Sequence, residues 1–251
     1  MRKIMPYTLA HPLYAAPLKL LQPKYLSLTG IILGSMAPDF EFFIALEPYQ
    51  TIGHSTLGLF LQAIPLSILL AVLFHYLIKD PLARHLPSVW NLDRKAHGLV
   101  RPWRLTGIRG WTVFLISVII GFYAHVLLDG FTHETGIFVG LYPLLQQHIM
   151  GTPVYKLLQY GLSIIGLLVE GIIQVLLLSK ARCGFGFVPV KRSAKVQYWA
   201  VTCGTAIAVA GIKLFSASST NYIGIIAVAP ISGFFLGLIA ASALSRMKVI
   251  S

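Results

Sequence analysis

The sequence predicts an all-α, polytopic integral membrane bundle, and its composition and the lengths of its apolar runs carry that reading. Of 251 residues, 56% are hydrophobic and 11% charged, with a mean hydropathy of +0.76. A soluble domain needs roughly 25% charged residues to cover its surface. The apolar residues gather into runs close to the ~20 residues with which a helix crosses a bilayer.

The elements follow in chain order. From Pro6 to Leu46, Pro12, Pro17, Pro23 and Pro38 interrupt the apolar pattern, so no uninterrupted span fits. Two shorter helices, about 9–21 and 26–46, are expected instead, forming a Pro-broken hairpin that enters the membrane with Lys19 and Lys24 around its turn. Five uninterrupted spans come next, at 57–78, 111–131, 154–179, 196–215 and 222–244, which gives about seven membrane helices. Residues 79–110 are long enough to hold a short amphipathic helix as well. Arg2-Lys3 is followed by neither a long enough apolar core nor a small-residue cleavage site, so a removable signal peptide is not expected. The chain reads as one membrane domain, 1–251, with 1–160 carrying the polar motifs and 161–251 supplying supporting helices.

The formal charge of +12 follows topology rather than nucleic acid. Lys79, Arg84, Arg94, Lys95, Arg101, Arg104 and Arg109 fall in one loop, and Lys180, Arg182, Lys191, Arg192 and Lys195 in another, whereas residues 132–152 hold no Lys or Arg. By the positive-inside tendency the basic loops and the tail with Arg246 and Lys248 are expected to face the cytoplasm. Anionic lipid headgroups, not nucleic acid, are the expected partners of these charges, and no protein partner is indicated. Cys183 and Cys203 form neither a disulfide framework nor a close metal pair.

Against this background the polar residues stand out. Five of only eight Asp and Glu residues (Asp39, Glu41, Asp129, Glu134, Glu170) lie in or beside apolar segments, where an unpaired charge is expensive and usually functional. Three strings bring carboxylates and histidines together: Thr8-Leu9-Ala10-His11-Pro12; Ala37-Pro38-Asp39-Phe40-Glu41 with Gly53-His54-Ser55; and Ala124-His125 through Asp129 to His133-Glu134. With the basic loops inside, the second and third converge on the extracytoplasmic face, and the His11 string joins them if the N-terminal hairpin starts outside, dips in and returns. His125, Asp129 and His133 are four residues apart, so they project from one helix face. His125 and Asp129 can grip one ion, with Asp39 and His54 completing a tetrahedral N/O set. Glu41, His11, His133 and Glu134 remain for a second ion, for hydrogen bonds to ligand imidazoles, or for general acid/base work. Tyr155, Lys156 and Gln159 form a polar patch able to hold an anionic headgroup, or equally an interfacial anchor. His75, His85 and His97 read as ordinary surface residues of the basic side, and Glu170 with Gln174 one turn on as a helix-packing polar pair. Ser55 lacks the setting of a nucleophile elbow and reads as a helix cap. Gly224, Gly233 and Gly237 read as close-packing positions.

Taken together, Met5 through Pro12, Gly34-Ser35-Met36-Ala37-Pro38-Asp39-Phe40-Glu41, Gly53-His54-Ser55, His125 through Asp129 and Phe131-Thr132-His133-Glu134 resemble the bacterial membrane proteins grouped as the domain of unknown function DUF4184. More distantly the order of these residues is similar to that in membrane-bound metal-dependent hydrolases, and through them to the all-helical zinc-dependent phospholipase C group. That likeness implies Asp39, His54, His125 and Asp129 as ligands of a first zinc, with His11 and a bridging Asp129 at a second. The chain lacks the richer histidine set of the soluble enzymes. His133 also follows Asp129 more closely than the next ligand does there, so three metals are not expected.

The expected activity is that of a membrane metal-dependent hydrolase using zinc or manganese. Its substrate would be a lipid-linked or amphiphilic ester, with Glu41 or Glu134 as proton acceptor and Lys156 on the headgroup. A non-enzymatic alternative is an ion or lipid transporter, or a scaffold, with a structural metal and histidine cluster. Transport would draw on Glu170, Gln174 and Lys213 through the bilayer's depth.

Overall fold

The computed structural model describes residues 8–216 and 220–247. Arg2, Lys3, Met5-Pro6-Tyr7 and Lys248 lie outside the described residues. Among the described residues, six helical segments are long and apolar enough to cross a membrane: Leu28–Ala45, Thr56–His85, Gly107–Leu141, Val154–Lys180, Arg192–Ser216 and Tyr222–Arg246. The only strands among the described residues are β1 (His148–Ile149) and β2 (Thr152–Pro153), a two-residue hairpin in the loop that carries no Lys or Arg.

The N-terminal hairpin is present as expected. A 3-10 turn at Thr8–Ala10 leads into α1 (His11–Ala15), Pro17 breaks the limb, and α2 (Leu18–Leu21) ends it. The ammonium of Lys19 closes the turn by donating to the carbonyls of Pro23 and Leu26. The return limb is α3 (Leu28–Met36), a 3-10 turn at Ala37–Asp39, and α4 (Phe40–Ala45). Ser27 caps α3, and the turn is tied to the bundle by Ser27 N–H donating to Ser117 Oγ (2.7 Å) and by Thr29 against His75 Nε2 (2.9 Å).

The next span, α5 (Thr56–His85), runs seven residues past the apolar stretch that announces it. Beyond Ile78 the helix is held by an Asp80–Arg84 pair one turn apart (3.0 Å) and by burial of His85. It contains Pro65 and Pro81, each of which removes an N–H and crowds the carbonyl four residues earlier. In both cases that carbonyl, of Leu61 and Leu77, lies in a widened π turn, at Leu59–Ala63 and Leu73–Ile78, which relieves the clash. The freed Leu77 carbonyl accepts a bond from Arg246 Nε (3.4 Å). The expected amphipathic helix follows as α6 (Leu92–Leu99), then α7 (Gly107–Thr132), the short α8 (Ile137–Leu141) and α9 (Pro143–Gln146), α10 (Val154–Lys180), α11 (Arg192–Ser216) and α12 (Tyr222–Arg246).

Two close crossings organise the bundle. Helices α3 and α7 run parallel with backbones in contact: a Cβ on Gly34 would lie 2.2 Å from the Val118 carbonyl oxygen, and one on Gly121 would lie 2.4 Å from that of Ile31. Gly30 and Gly34 are spaced as small-xxx-small residues are at membrane helix interfaces. Around the crossing Ile31, Phe114, Val118 and Phe122 are fully buried. The other crossing pairs α11 with α12, where Gly237 packs on Thr202 and Gly233 on Ala206, while Gly224 packs on the Pro48 ring.

The basic end is closed by a polar lock between α6 and α11. The buried Lys195 ammonium donates to Asp93 Oδ2 (2.5 Å), Ser88 Oγ (2.8 Å) and the Leu86 carbonyl (2.9 Å), which uses all three of its hydrogens. Burial alone would push the Asp93 carboxyl up. The bonds from Lys195, Ser88 and the Arg94 amide outweigh that and hold it below the usual carboxylate range. Next to this lock His85 corrects the expectation of a surface histidine. It is 3% exposed, donates from Nδ1 to the Pro81 carbonyl (2.7 Å) and stacks on Tyr198 (4.4 Å), because α11 packs over the end of α5. His75 is likewise stacked, on Trp103 (4.3 Å). Gln174 is exposed, so it does not form a packing pair with Glu170.

Replacing Gly34 with Val is expected to lower the melting temperature in detergent, by the equivalent of about 3 kcal/mol or more, since overpacking here meets backbone. Gly161→Val, at a site with open space around it, is the control and should cost under about 1 kcal/mol, the helix-propensity scale. Lys195→Met should cost about 3–5 kcal/mol by stranding a buried carboxylate, and adding Asp93→Leu should recover most of it. Because the folded carboxyl sits below its unfolded value near 3.8, this stabilisation is complete above that pH. It is lost as pH falls through the lower folded value, so the Lys195→Met deficit should shrink there.

Candidate metal centre

At the end of the bundle opposite the lock, four chain segments deliver side chains to one point. The turn at Thr8–Ala10 presents His11 at the start of α1. Pro38 turns the chain between α3 and α4, so that Asp39 points inward and is 1% exposed. The loop before α5 places His54. Gly53 lets that loop lie against the Pro38 carbonyl, 2.2 Å from where a Cβ would be. Glu41 pins it by accepting bonds from Thr51 N–H (2.7 Å), Thr51 Oγ1, Ile52 N–H (3.1 Å) and Gly53 N–H (3.2 Å). Ser55 then caps α5, its Oγ accepting from Gly58 N–H (3.1 Å). The fourth segment is the last two turns of α7, with His125 and Asp129, and His133 directly after its end.

The ligand-type atoms of these side chains lie close together. His54 Nε2 and His125 Nε2 are 3.2 Å apart, and each is 3.1 Å from Asp129 Oδ2. Asp39 closes the fourth side, with Oδ1 3.6 Å from His54 Nε2 and Oδ2 3.8 Å from His125 Nε2. A tetrahedral ion with bonds of about 2.0–2.1 Å has ligand atoms about 3.3–3.4 Å apart; the three separations among His54, His125 and Asp129 fall just below that value, and Asp39 meets the two histidines just above it through different carboxylate oxygens. Asp39, His54 and His125 form one group whose ligand atoms lie within 4.8 Å of one another, and His11, His125 and Asp129 form a second.

The hydrogen bonding around the set fits a cation. His125 Nδ1 lies 2.7 Å from the Ser35 carbonyl, which only accepts, so Nδ1 carries the hydrogen and a neutral ring points an Nε2 lone pair at two carboxylates. The Gln50 amide, 2.6 Å from His54 Nδ1, serves as donor or, turned over, as acceptor. The second arrangement frees the Nε2 lone pair of His54. The Thr8 hydroxyl donates to Asp39 Oδ2 (2.5 Å). His54 is the most open of the four, its side chain 22% exposed against 1% for Asp39, 0% for His125 and 11% for Asp129. Access is from its side.

The other expected residues fall differently. His11 stacks on His125 (3.8 Å) and turns Nε2 to the other Asp129 oxygen, Oδ1 (3.2 Å), while its buried Nδ1 has no protein partner. His133 lies one turn beyond Asp129, with Nδ1 3.2 Å from the Asp129 carbonyl and Nε2 3.1 Å from the Gln159 amide. His133 Nδ1 also lies 3.5 Å from Asp129 Oδ1, the oxygen that His11 meets, so His133 borders the cluster with both nitrogens engaged. Gln159, expected to bind substrate, is buried and serves His133. Glu41 is committed to its loop. Glu134 is exposed, and among the described residues Glu134, Tyr155 and Lys156 make no hydrogen bond or ion pair with the cluster. His148 is exposed on β1. Thr8, Ser35 and Gln50, which support Asp39, His125 and His54, were not singled out by the sequence. The signals were a hydroxyl three residues before His11 and a small residue directly after the Gly30/Gly34 pair.

No curated protein and no solved structure matches the chain. The family described as "Domain of unknown function (DUF4184)" matches residues 5–243, a stretch containing every residue of the cluster, the first five spans and the last as far as Ala243. The chain with this four-sided His/Asp cluster belongs to the DUF4184 family.

Proposed function

We propose that the chain is a membrane-embedded, metal-dependent hydrolase acting on a lipid-linked or amphiphilic ester, phosphoesters foremost, at the extracytoplasmic face of a bacterial inner membrane. The observation that carries this reading is the convergence of Asp39, His54, His125 and Asp129 from three chain segments, with ligand-type atoms 3.1–3.8 Å apart. Their placement at the end remote from Lys79, Arg94, Arg101, Arg104, Lys180 and Arg192 favours the extracytoplasmic side, with the C-terminus cytoplasmic. A divalent ion bound there, zinc or manganese, would supply Lewis-acid polarisation of a phosphoryl or acyl oxygen and a water brought toward neutral pKa.

The chain's own groups do the rest. Asp39 and Asp129 neutralise positive charge in an apolar setting, and Ser35 and Thr8 fix the ring of His125 and the carboxylate of Asp39. His11 takes the proton-handling role that the sequence suggested for Glu41 or Glu134. Its Nε2 is held by Asp129 Oδ1, and its ring lines a cavity of about 10 Å³ with Tyr14, Asp129 and Ser163, room for about one water. Lys156, at the head of α10, remains the basic residue for an anionic headgroup.

The competing reading, a structural or transport role, draws on Glu170, whose Oε1 is buried without a partner. Lys213 supports transport less, since it pairs with Glu47 (2.8 Å), at the same bundle end as the cluster.

Elemental mass spectrometry of purified protein should find about one or two zinc or manganese per chain, absent from His54→Ala and Asp129→Asn at unchanged membrane insertion. Normal metal content in those variants would sink the proposal. Thr8→Val removes no ligand and should weaken metal binding by about 10–100-fold, measured by chelator competition. Hydrolysis of phospholipid or polyprenyl phosphate by the metal-loaded wild type, lost in His11→Gln with metal retained, separates catalysis from a structural ion.

A further inference from the structure

At the basic end, separate from the metal centre, a groove of about 590 Å³ is walled by His75, Tyr76, Lys79, Arg101, Trp103 and Arg104. Its three cations face no carboxylate in the lining. The nearest in sequence, Asp80, is taken by Arg84 (3.0 Å) and lies 3.6 Å from His97 Nε2. Among the described residues neither Arg101 nor Arg104 forms an ion pair, and both are exposed.

The walls are fixed in place. Trp103 stacks on His75 (4.3 Å, 5° between planes) and meets Tyr76 and Phe114 edge-on. The Tyr76 hydroxyl donates to the Trp103 carbonyl (3.2 Å) and Lys79 Nζ to the Arg101 carbonyl (2.7 Å). Lys79 also donates to His75 Nδ1 (3.1 Å), which leaves one of its three hydrogens for a ligand. Pro102 stiffens the segment between the two arginines.

The geometry points to a binding site for the phosphate of an anionic phospholipid, with Lys79, Arg101 and Arg104 on the phosphate and Trp103 and Tyr76 at the glycerol level. Depth favours a lipid over a free anion. The groove opens where the apolar run of α5 stops at Ile78 and the first lysine follows, the level at which headgroup phosphates meet aromatic residues and Lys/Arg. Two guanidiniums suit phosphate recognition because each presents a planar fork of donors. Since His75 also contacts Thr29, the occupied groove would brace the turn of the hairpin that carries His11 and Asp39.

The test is native mass spectrometry of delipidated protein in detergent, titrated with phosphatidylglycerol, phosphatidylethanolamine or inorganic phosphate. The wild type should take up one tight phosphatidylglycerol in preference to phosphatidylethanolamine. Arg101→Gln with Arg104→Gln should weaken it by about thirtyfold, the loss of two headgroup cations. Arg109→Gln with Lys180→Gln, basic residues of the same end outside the groove, should leave it unchanged. Melting temperatures of all variants should match, as all four side chains are exposed. Equal loss in the control pair, no preference for the anionic lipid, or displacement of the lipid by equimolar inorganic phosphate would each overturn the assignment.

Discussion

The site depends on the close approach of α3 to α7. Where Gly34 lies on the Val118 carbonyl and Gly121 on that of Ile31, the two backbones come near enough for the Ser35 carbonyl to reach His125 Nδ1. That bond sets the tautomer of the most buried imidazole and aims its Nε2 at Asp129 and Asp39. The same crossing sets the height of the Pro38 turn relative to the last turns of α7. A side chain at either glycine would separate the helices and move Asp39 away from His125. In a membrane, where apolar side chains gain little by leaving lipid for protein, such close packing and the hydrogen bonds it permits are what hold helices together.

Electrostatics completes the picture at both ends of the bundle. Two carboxylates with low exposure and no Lys or Arg among their contacts are expensive in an apolar surround, and only histidines and hydroxyls meet them. A cation at their centre would remove that penalty. Elsewhere the same sequence solves the problem with protein groups alone. Asp93 has Lys195 with all its hydrogens used, and Glu47 has Lys213. Among the described residues histidines, not Lys or Arg, meet Asp39 and Asp129, which distinguishes this cluster from those pairs.

Composition and run length made the spans legible, since a lipid-facing helix must be apolar along its whole length whatever it packs against. All five uninterrupted runs appear, and the Pro-broken hairpin has its turn at residues 22–27. The overshoot of α5 to His85 was not legible. It rests on tertiary burial of His85 against Tyr198, and hydropathy sees only the end of the apolar run. Within the site, four-residue spacing on α7 identified His125 and Asp129, and the Pro-Asp and His-Ser strings marked Asp39 and His54. Roles were less readable than membership. Glu41 looks like a free carboxylate in sequence, yet the loop folding back from Thr51 to Gly53 uses it up. His133 shares a face with Asp129 and keeps Nδ1 beside its carboxylate, but its Nε2 is taken by Gln159 from a helix more than twenty residues later.

X-ray absorption at the zinc edge of protein purified from membranes tests the central claim most directly. The account expects a four-coordinate shell of nitrogen and oxygen near 2.0–2.1 Å with the outer scattering of two imidazoles. A sulfur shell near 2.3 Å, a six-coordinate oxygen shell without imidazole, or no edge for zinc or manganese in protein reconstituted with either metal would contradict it.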